Sequence, residues 1–189
     1  MIEKYYYSRI YIEEQNYDSK TFPVIHINME SNVSSTPDKL KEQKEVVESI
    51  LNNLSKSKFR ASFHLKKADI EYIKEKGWET IQKHCHDFIS NRLAPAIINN
   101  DGKQTPTHGH PVFIAQHACA CCCRGCLSKW HKIKKGINIS ENDINEIVDL
   151  LMAWIHKEYE NYKETDSQKA AKSAKKKDNK KFPVQLELF

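Results

Sequence analysis

Apolar residues recur at helical spacing between residues 37 and 55, and polar residues fill the positions between them. This periodicity is typical of an amphipathic helix that packs one face against a core. Thr36 can cap the helix, Pro37 suits its first position, and the pattern ends near Ser55. The apolar stripe consists of Leu40, Val47, Ile50, Leu51 and Leu54.

Three further helices are predicted from the same kind of pattern. One runs from Asp69 to Lys76 and is stopped by Gly77, and the next runs from Trp78 to about Leu93, just before Pro95. The longest begins after Ser140, which acts as a cap with Asp143 as a weak capping-box partner. Its apolar face carries Ile144, Ile147, Val148, Leu151, Trp154, Ile155, Tyr159 and Tyr162.

The first 35 residues follow a different pattern. Runs at residues 5–12 and 22–27 are rich in tyrosine and β-branched residues, which favours two short strands. The alternative is an extension that packs on the surface of the domain. Residues 96–109 read as a loop, and the segment from about Cys121 to His131 can form one helix. We therefore expect a mainly α-helical domain, residues 36–163, with a small N-terminal β element, residues 1–35.

The composition changes after Lys163. Residues 164–181 hold seven lysines against three acidic residues and no large apolar side chain, which predicts a disordered linker. Because the whole chain carries a net charge of +5 and the linker carries +4 of it, the rest of the chain is left with a net charge of +1. The sequence pI of about 8.8 therefore does not predict a basic nucleic-acid-binding face on the domain.

The segment HGHPVFIAQHACACCCRGCLSKWH, residues 108–131, concentrates the candidate chemistry. It holds five of the six cysteines and four of the nine histidines, the side chains that bind zinc and other borderline or soft metals. Two other interpretations stay open. The cysteines can be small buried hydrophobic residues, or one can be a redox-active thiol whose pKa is lowered by Arg124.

Within this segment the spacing H-x5-C-x2-C-x4-H resembles that of small zinc sites. Zinc is the expected metal, and iron is the alternative. A site closed by four ligands would be structural, whereas an open position would allow hydrolysis. For hydrolysis the candidate catalytic residues are Asp101, His108 and Arg124. The candidate metal ligands are His110, His117, Cys122, Cys123, Cys126 and His131.

Two smaller clusters lie near this segment. His84, Cys85 and His86 are adjacent, so on a helix they point in different directions and cannot all serve one site. Trp130 is surrounded by lysines at positions 129, 132, 134 and 135, a pattern that can hold phosphates and stack a base. A solvated lysine face around a buried tryptophan explains the second cluster equally well.

The stretches RLAPA, DGKQTP, GHPVFIAQHA, CCRGCL and KWH resemble the bacterial family known as domain of unknown function 4186. The resemblance extends over about residues 59–156. It implies one compact domain with a site at the matching residues, but no reaction. Cys119, Cys121 and His108 depart from the family's pattern. The matching residues are His110, His117, Cys122, Cys123, Arg124, Cys126, Trp130 and His131.

The final residues, 182–189, carry a second resemblance. Gln185, Leu186, Glu187, Leu188 and Phe189 are similar to the Q-L-x-L-F motif that binds the bacterial DNA polymerase sliding clamp. Leu188 and Phe189 would fill a pocket, Leu186 would support them, and the Gln185 amide would fix the orientation. Large apolar anchors at the end of a flexible linker suit recognition of a short peptide.

Taken as a whole, the sequence predicts a zinc-binding protein of bacterial or phage DNA replication or repair. The sliding clamp would be its partner, and DNA would be reached through the clamp and the lysine-rich linker. A metal-dependent hydrolase or nuclease and a thiol-based redox protein are the alternatives. The first fourteen residues hold no apolar signal core, and the chain holds no apolar run of about 18 residues, so we expect a cytoplasmic protein without a membrane span.

Overall fold

A computed structural model describes the backbone of residues 37–178 and the side chains of residues 44–167. The predicted β element at residues 1–35 and the predicted clamp-binding peptide at residues 182–189 lie outside the described residues. Within residues 37–178 the chain forms α-helices and one short 3-10 helix but no strand, which confirms the mainly α-helical class. No helix in the described range is long and apolar enough to cross a membrane.

Six α-helices follow one another in the described range. The 3-10 helix, Arg60–Ser62, lies between the first two. The α-helices are α1 (Pro37–Ser55), α2 (Lys67–Lys76), α3 (Trp78–Arg92), α4 (Pro111–Ala118), α5 (Arg124–His131) and α6 (Glu141–Asp178).

The core forms where α6 packs against α3 and α4. Leu151 and Ile155 of α6, Ile81 and Ile89 of α3, and Val112 of α4 are completely buried. Each fully buried aliphatic side chain of this kind stabilises the fold by about 1.5–3 kcal/mol through removal of apolar surface from water. The helical stripes read from the sequence therefore face this shared core.

The helix ends agree with the local sequence signals. At the start of α6 the Ser140 Oγ accepts a hydrogen bond from the backbone N of Asp143 at 3.1 Å and donates one to Asp143 Oδ2 at 2.7 Å. Gly77 adopts a positive φ of 78°, a conformation that suits glycine. It is both the C-cap of α2 and the N-cap of α3, so a single residue separates the two helices. The predictions for α1, α2, α3 and the start of α6 are confirmed within one or two residues.

The structure differs from the prediction in two segments. The helix expected from Cys121 begins instead at Arg124, because Ala120 takes a left-handed conformation with φ 58° and turns the chain. Helix α6 continues to Asp178, whereas a disordered linker was expected from residue 164. The reason for the second difference is local, since lysine, alanine, glutamine and glutamate favour helix and no glycine or proline interrupts residues 164–178.

Candidate metal centre

The turn between α4 and α5 positions the cysteines. Cys121 N donates to Gln116 O at 2.7 Å, a bond that closes the end of α4 around the left-handed Ala120. The side chain of Gln116, itself buried, donates to Cys121 O at 3.1 Å. Two hydrogen bonds with Gln116 therefore fix the backbone of Cys121, and with it the direction in which the chain continues to Cys122 and Cys123.

Cys122, Cys123 and Cys126 come together after this turn. Their Sγ atoms all lie within 4.8 Å of one another, and those of Cys122 and Cys126 are 3.5 Å apart. A tetrahedral zinc with Zn–S bonds of about 2.3 Å holds its sulfur atoms about 3.8 Å apart. The three thiols therefore fit three corners of a zinc site with only small shifts. In the described part of the chain they form the only such group of three or more possible ligands.

Helix α5 fixes two of these cysteines relative to each other. Cys123 is the N-cap residue of α5, and its Sγ accepts a hydrogen bond from the backbone N of Cys126 at 3.4 Å. This bond satisfies a helix N-terminal N–H that has no partner within the helix. The C-x2-C spacing thus places both sulfur atoms on the N-terminal turn of α5.

Arg60, which sequence reasoning missed, lies directly against the cysteines. It is 7% exposed, and its Nη2 donates to Cys126 Sγ at 3.1 Å, while its Nη1 donates to the backbone O of His117 and approaches Cys122 Sγ at 3.8 Å. The only sequence signal for it was that arginine is rare in this lysine-rich chain. A buried guanidinium beside thiols stabilises negative charge on sulfur.

Within the group the three thiols differ in acidity. Hydrogen bonds with Cys126 and then Arg60 hold the pKa of Cys122 below its usual value, although burial opposes this shift. The same contact with Cys122, together with burial, raises the pKa of Cys126. Burial raises the pKa of Cys123. Cys122 is therefore the first of the three to become a thiolate, the form that binds metal.

The other cysteines do not join the group. Cys85, Cys119 and Cys121 are completely buried, and burial raises the pKa of each thiol. They act as small apolar side chains of the core, which is the structural interpretation of cysteine.

His110 was a predicted ligand, but the structure uses both of its ring nitrogens elsewhere. Nδ1 accepts a hydrogen bond from the backbone N of Val112 at 3.1 Å and so caps α4. Nε2 must then carry the proton, and it lies 3.1 Å from Nδ1 of His84. Burial, with a smaller contribution from His84, lowers the pKa of His110 to about 4. His110 is therefore a neutral capping residue, which is a different role from the predicted one.

His131 and His117, the other predicted histidine ligands, also lie outside the cysteine group. His131 Nε2 is 2.8 Å from Cys119 O and 3.6 Å from Cys121 Sγ. His117 Nε2 is 3.1 Å from the backbone O of Thr105, so this nitrogen carries the proton. The Nδ1 of His117 is buried and has no hydrogen-bond partner, which leaves its lone pair available.

The candidate catalytic residues have structural partners instead. Asp101 Oδ1 accepts from the backbone N of Arg124 at 2.9 Å, and Asp101 Oδ2 lies 3.6 Å from Lys135 Nζ. The buried Arg124 guanidinium donates to the backbone O atoms of Leu93, Lys134 and Ile137. It therefore ties the end of α3 to the loop between α5 and α6, and it is not placed to lower a cysteine pKa or to bind phosphate. His108 is exposed, with Nδ1 3.3 Å from Thr107 Oγ1.

The cluster of His84, Cys85 and His86 separates as expected for neighbouring residues on a helix. Cys85 points into the core, His84 contacts His110, and His86 Nε2 lies 2.8 Å from Glu141 Oε1 at the start of α6. These three side chains serve three different surroundings and form no common site.

Comparison with known proteins identifies a family but no reaction. Residues 48–156, more than half of the chain, match the family model described as domain of unknown function (DUF4186). The matched range includes Arg60 and all three cysteines of the group. No solved structure matches the chain.

Proposed function

Because the chain belongs to the family of domain of unknown function 4186, whose description names no activity, we propose its function from the site: a metal-binding protein whose metal is zinc. The observation that carries the proposal is the group Cys122, Cys123 and Cys126, with all Sγ atoms within 4.8 Å of one another. Thiolate sulfur favours zinc over magnesium or calcium, which prefer oxygen ligands. Iron is the alternative metal for the same ligands.

The surroundings of the cysteines suit a zinc thiolate centre. A zinc ion with three thiolates carries one net negative charge, which is costly to bury without a partner. The Arg60 guanidinium lies 3.1 Å from Cys126 Sγ and compensates this charge. The backbone N of Cys126 adds a hydrogen bond to Cys123 Sγ. Such interactions around the ligands are a regular feature of protein metal sites.

We infer that His117 supplies the fourth ligand through Nδ1. Its Nε2 already carries the proton toward Thr105 O, and its Nδ1 is buried without a hydrogen-bond partner. The backbone O of His117 shares the Arg60 guanidinium with the cysteines, so the residue borders the group. A bound metal would satisfy the nitrogen that is otherwise left without a partner.

Elemental analysis of protein purified without chelators or a histidine tag tests the metal. We expect about one zinc per chain in the parent protein and in Cys121→Ala, and a loss of zinc in Cys126→Ala. Cys121 is a matched control, since it is a buried cysteine of the same turn that lies outside the group. Since metal binding and folding are coupled, Cys126→Ala should also lower the midpoint of thermal unfolding.

The fourth ligand is tested with cobalt in place of zinc, because the visible spectrum of cobalt reports the ligand set. His117→Ala should change that spectrum, whereas His131→Ala should leave it unchanged. A folded protein with no metal, whose thiols all react freely, would contradict the proposal.

The proposal also includes a partner, the bacterial DNA polymerase sliding clamp. Its support is in the sequence, where the Q-L-x-L-F pattern at residues 185–189 follows a lysine-rich segment. Binding through this peptide would raise the local concentration of the domain on the DNA that the clamp encircles. In this proposal four protein ligands close the metal site, so the metal is structural. The protein would act as an accessory factor in DNA replication or repair.

A thiol-based redox function is the second candidate, favoured by the 3.5 Å separation of the Cys122 and Cys126 sulfur atoms. Oxidation would join the two sulfur atoms in a disulfide, releasing two protons and passing two electrons to a disulfide oxidant such as oxidised glutathione. Titration with that reagent, followed by peptide mapping, distinguishes the two candidates. A metal-loaded protein that resists oxidation favours the metal function.

A further inference from the structure

The acidic residues of the folded chain are distributed unevenly. Residues 49–68 and residues 102–140 contain no aspartate or glutamate, yet they carry five and six basic residues. The acids of α1, α2, α3 and α6, with Asp101, offset part of this charge, so residues 36–163 hold 20 basic and 16 acidic residues. The net positive charge of the domain is therefore concentrated in two segments of one sign.

The fold brings these two acid-free segments together at the cysteine group. Arg60 of the first segment bonds to Cys126 of the second at 3.1 Å, and its guanidinium carbon lies 6.0 Å from the ring centroid of Trp130. Lys58 is two residues before Arg60, and Lys129 is adjacent to Trp130; both lysines are exposed. Each acid-free segment therefore has an exposed lysine close in sequence to the residues that meet at the cysteine group.

A further lysine lies over the start of α5. A Cβ built on Gly125 would be 3.3 Å from Lys135 Nζ and 3.7 Å from Cys123 Sγ, so the ammonium and the sulfur are within about 7 Å of each other. The nearest acid that the structure shows there is Asp101, which pairs with Lys135 at 3.6 Å and accepts from Arg124 N. One carboxylate does not neutralise the exposed lysines at positions 129, 132 and 134.

An exposed aromatic ring lies beside this charge. Phe59 is 58% exposed and is the only aromatic among the exposed large hydrophobic residues of the described range. Its ring is 5.1 Å from the Arg60 guanidinium carbon and meets Phe63 edge-on at 5.2 Å, which orients it. A fixed, solvent-facing ring next to basic residues is an arrangement on which an unpaired base can stack.

We propose that the surface formed by Lys58, Phe59 and Lys129 beside the cysteine group binds single-stranded nucleic acid. The lysines neutralise backbone phosphates, and Phe59 stacks one base. A duplex keeps its bases stacked on one another, so the ring favours a single strand. This inference goes beyond the proposed function. The surface would bind nucleic acid directly, without the sliding clamp and without contact between the nucleic acid and a metal ion.

Fluorescence anisotropy with a labelled 20-nucleotide oligothymidine tests the charge, using the full chain without the clamp. Lys58→Glu combined with Lys129→Glu should weaken binding at least tenfold and make it less salt-dependent, by about 0.7 in the log–log slope for each phosphate that is no longer neutralised. The matched control combines Lys74→Glu and Lys83→Glu, exposed lysines of α2 and α3. The control should bind within about twofold of the parent chain.

The same assay tests the stacking residue. Phe59→Ala should weaken binding about tenfold, and Phe59→Tyr should restore it, because tyrosine keeps the aromatic face. Ile97→Ala removes an exposed aliphatic side chain elsewhere and should have no effect. Three results would overturn the proposal. The first is an equal loss of affinity in both charge-reversal pairs, and the second is tighter binding of a duplex of the same length. The third is displacement of the oligonucleotide by poly-glutamate as effectively as by unlabelled DNA.

Metal content measured on every variant separates this inference from the proposed function. Lys58, Phe59 and Lys129 are not ligands, so their variants should keep the metal of the parent chain. Loss of nucleic-acid binding with unchanged metal content supports the surface. Failure of all variants to alter binding would reject the surface while leaving the metal proposal intact.

Discussion

Arg60 connects two parts of the molecule that are distant in sequence. Its guanidinium bridges the backbone O of His117, at the end of α4, and the Sγ of Cys126, in α5. The planar group satisfies several acceptors at once, which a lysine ammonium with its flexible stem does less well. This side chain therefore ties the 3-10 helix to the end of α4 and to α5 at the cysteine group.

Lys132 allows a test of backbone strain at a single residue. It ends α5 with a left-handed φ of 61°, and its side chain is exposed. Because glycine adopts this conformation without the steric cost of a Cβ, Lys132→Gly should stabilise the protein by about 0.5–1 kcal/mol. Urea unfolding measures the change in the free energy of unfolding.

The control for this prediction is the same substitution three residues earlier. Lys129 is exposed inside α5 with helical geometry, so Lys129→Gly should destabilise the protein by about 1 kcal/mol. If the two substitutions change stability in the same direction, the left-handed conformation of Lys132 does not determine the result.

Among the elements, helix α4 depends on an unusual cap. His110 Nδ1 accepts from Val112 N, and the His110 ring lies among the rings of Tyr72, Phe88 and Phe113 at centroid distances of 5.1–5.5 Å. His110→Ala loses the cap and leaves a cavity, so it should cost about 2–4 kcal/mol of folding free energy. His110→Asn keeps a capping acceptor and should cost about 1 kcal/mol less than alanine.

Metal analysis of the two His110 variants provides the accompanying control. Both ring nitrogens of His110 are used outside the cysteine group, so neither variant should lose metal when folded. If His110→Asn folds fully but loses its metal, His110 is a metal ligand, as the sequence predicted.

Helix α6 makes the stability of the domain depend on pH. Burial, and then the neighbouring charges of Asp143 and Asp149, raise the pKa of Glu146 to about 8 from an ordinary value of 4.5. A raised carboxyl pKa means that folding favours the protonated form, so this contribution is full below pH 4.5 and is lost as the pH rises through about 8. Glu146→Gln should therefore stabilise the protein above pH 8 and have little effect below pH 4.5.

Thermal unfolding across this pH range measures the effect of Glu146. Glu160→Gln is the matched control, because Glu160 is an exposed residue of the same helix. A parallel pH profile for Glu146→Gln and the parent chain would show that Glu146 ionises without cost in the folded state.

At the scale of the whole molecule, binding to the clamp should be separable from folding. Deletion of Leu188 and Phe189 removes the two largest anchors of the predicted peptide and should abolish binding to the sliding clamp. The midpoint of thermal unfolding should stay the same, because the buried core residues run in sequence from Val47 to Tyr159 and the side chains of residues 163–167 are already exposed. Surface plasmon resonance with immobilised clamp and thermal unfolding measure the two properties.

Either of two results would contradict this prediction. Unchanged affinity for the clamp after the deletion would show that the peptide is not the binding element. A midpoint lowered by several degrees would show that these residues contribute to the fold.

The sequence by itself determined four of the helices and the location of the candidate site. Apolar periodicity, Pro37, Gly77 and Ser140 act locally, through interactions within a few residues, so α1, α2, α3 and the start of α6 could be predicted. The density of thiols and imidazoles indicated a site in residues 108–131 for the same reason, since the C-x2-C pair needs only one turn of backbone.

Only the tertiary structure decided which residues face one another in that segment. Whether His110 caps a helix or binds a metal depends on the position of Val112 N and His84, and no spacing encodes that position. Arg60 reaches Cys126 across 66 positions of sequence, an interaction created by packing of the 3-10 helix on α4. Long-range packing also brings residues of two acid-free segments into contact at the cysteine group. The net charge of a sequence does not specify where in space its charges lie, so only the structure decides this.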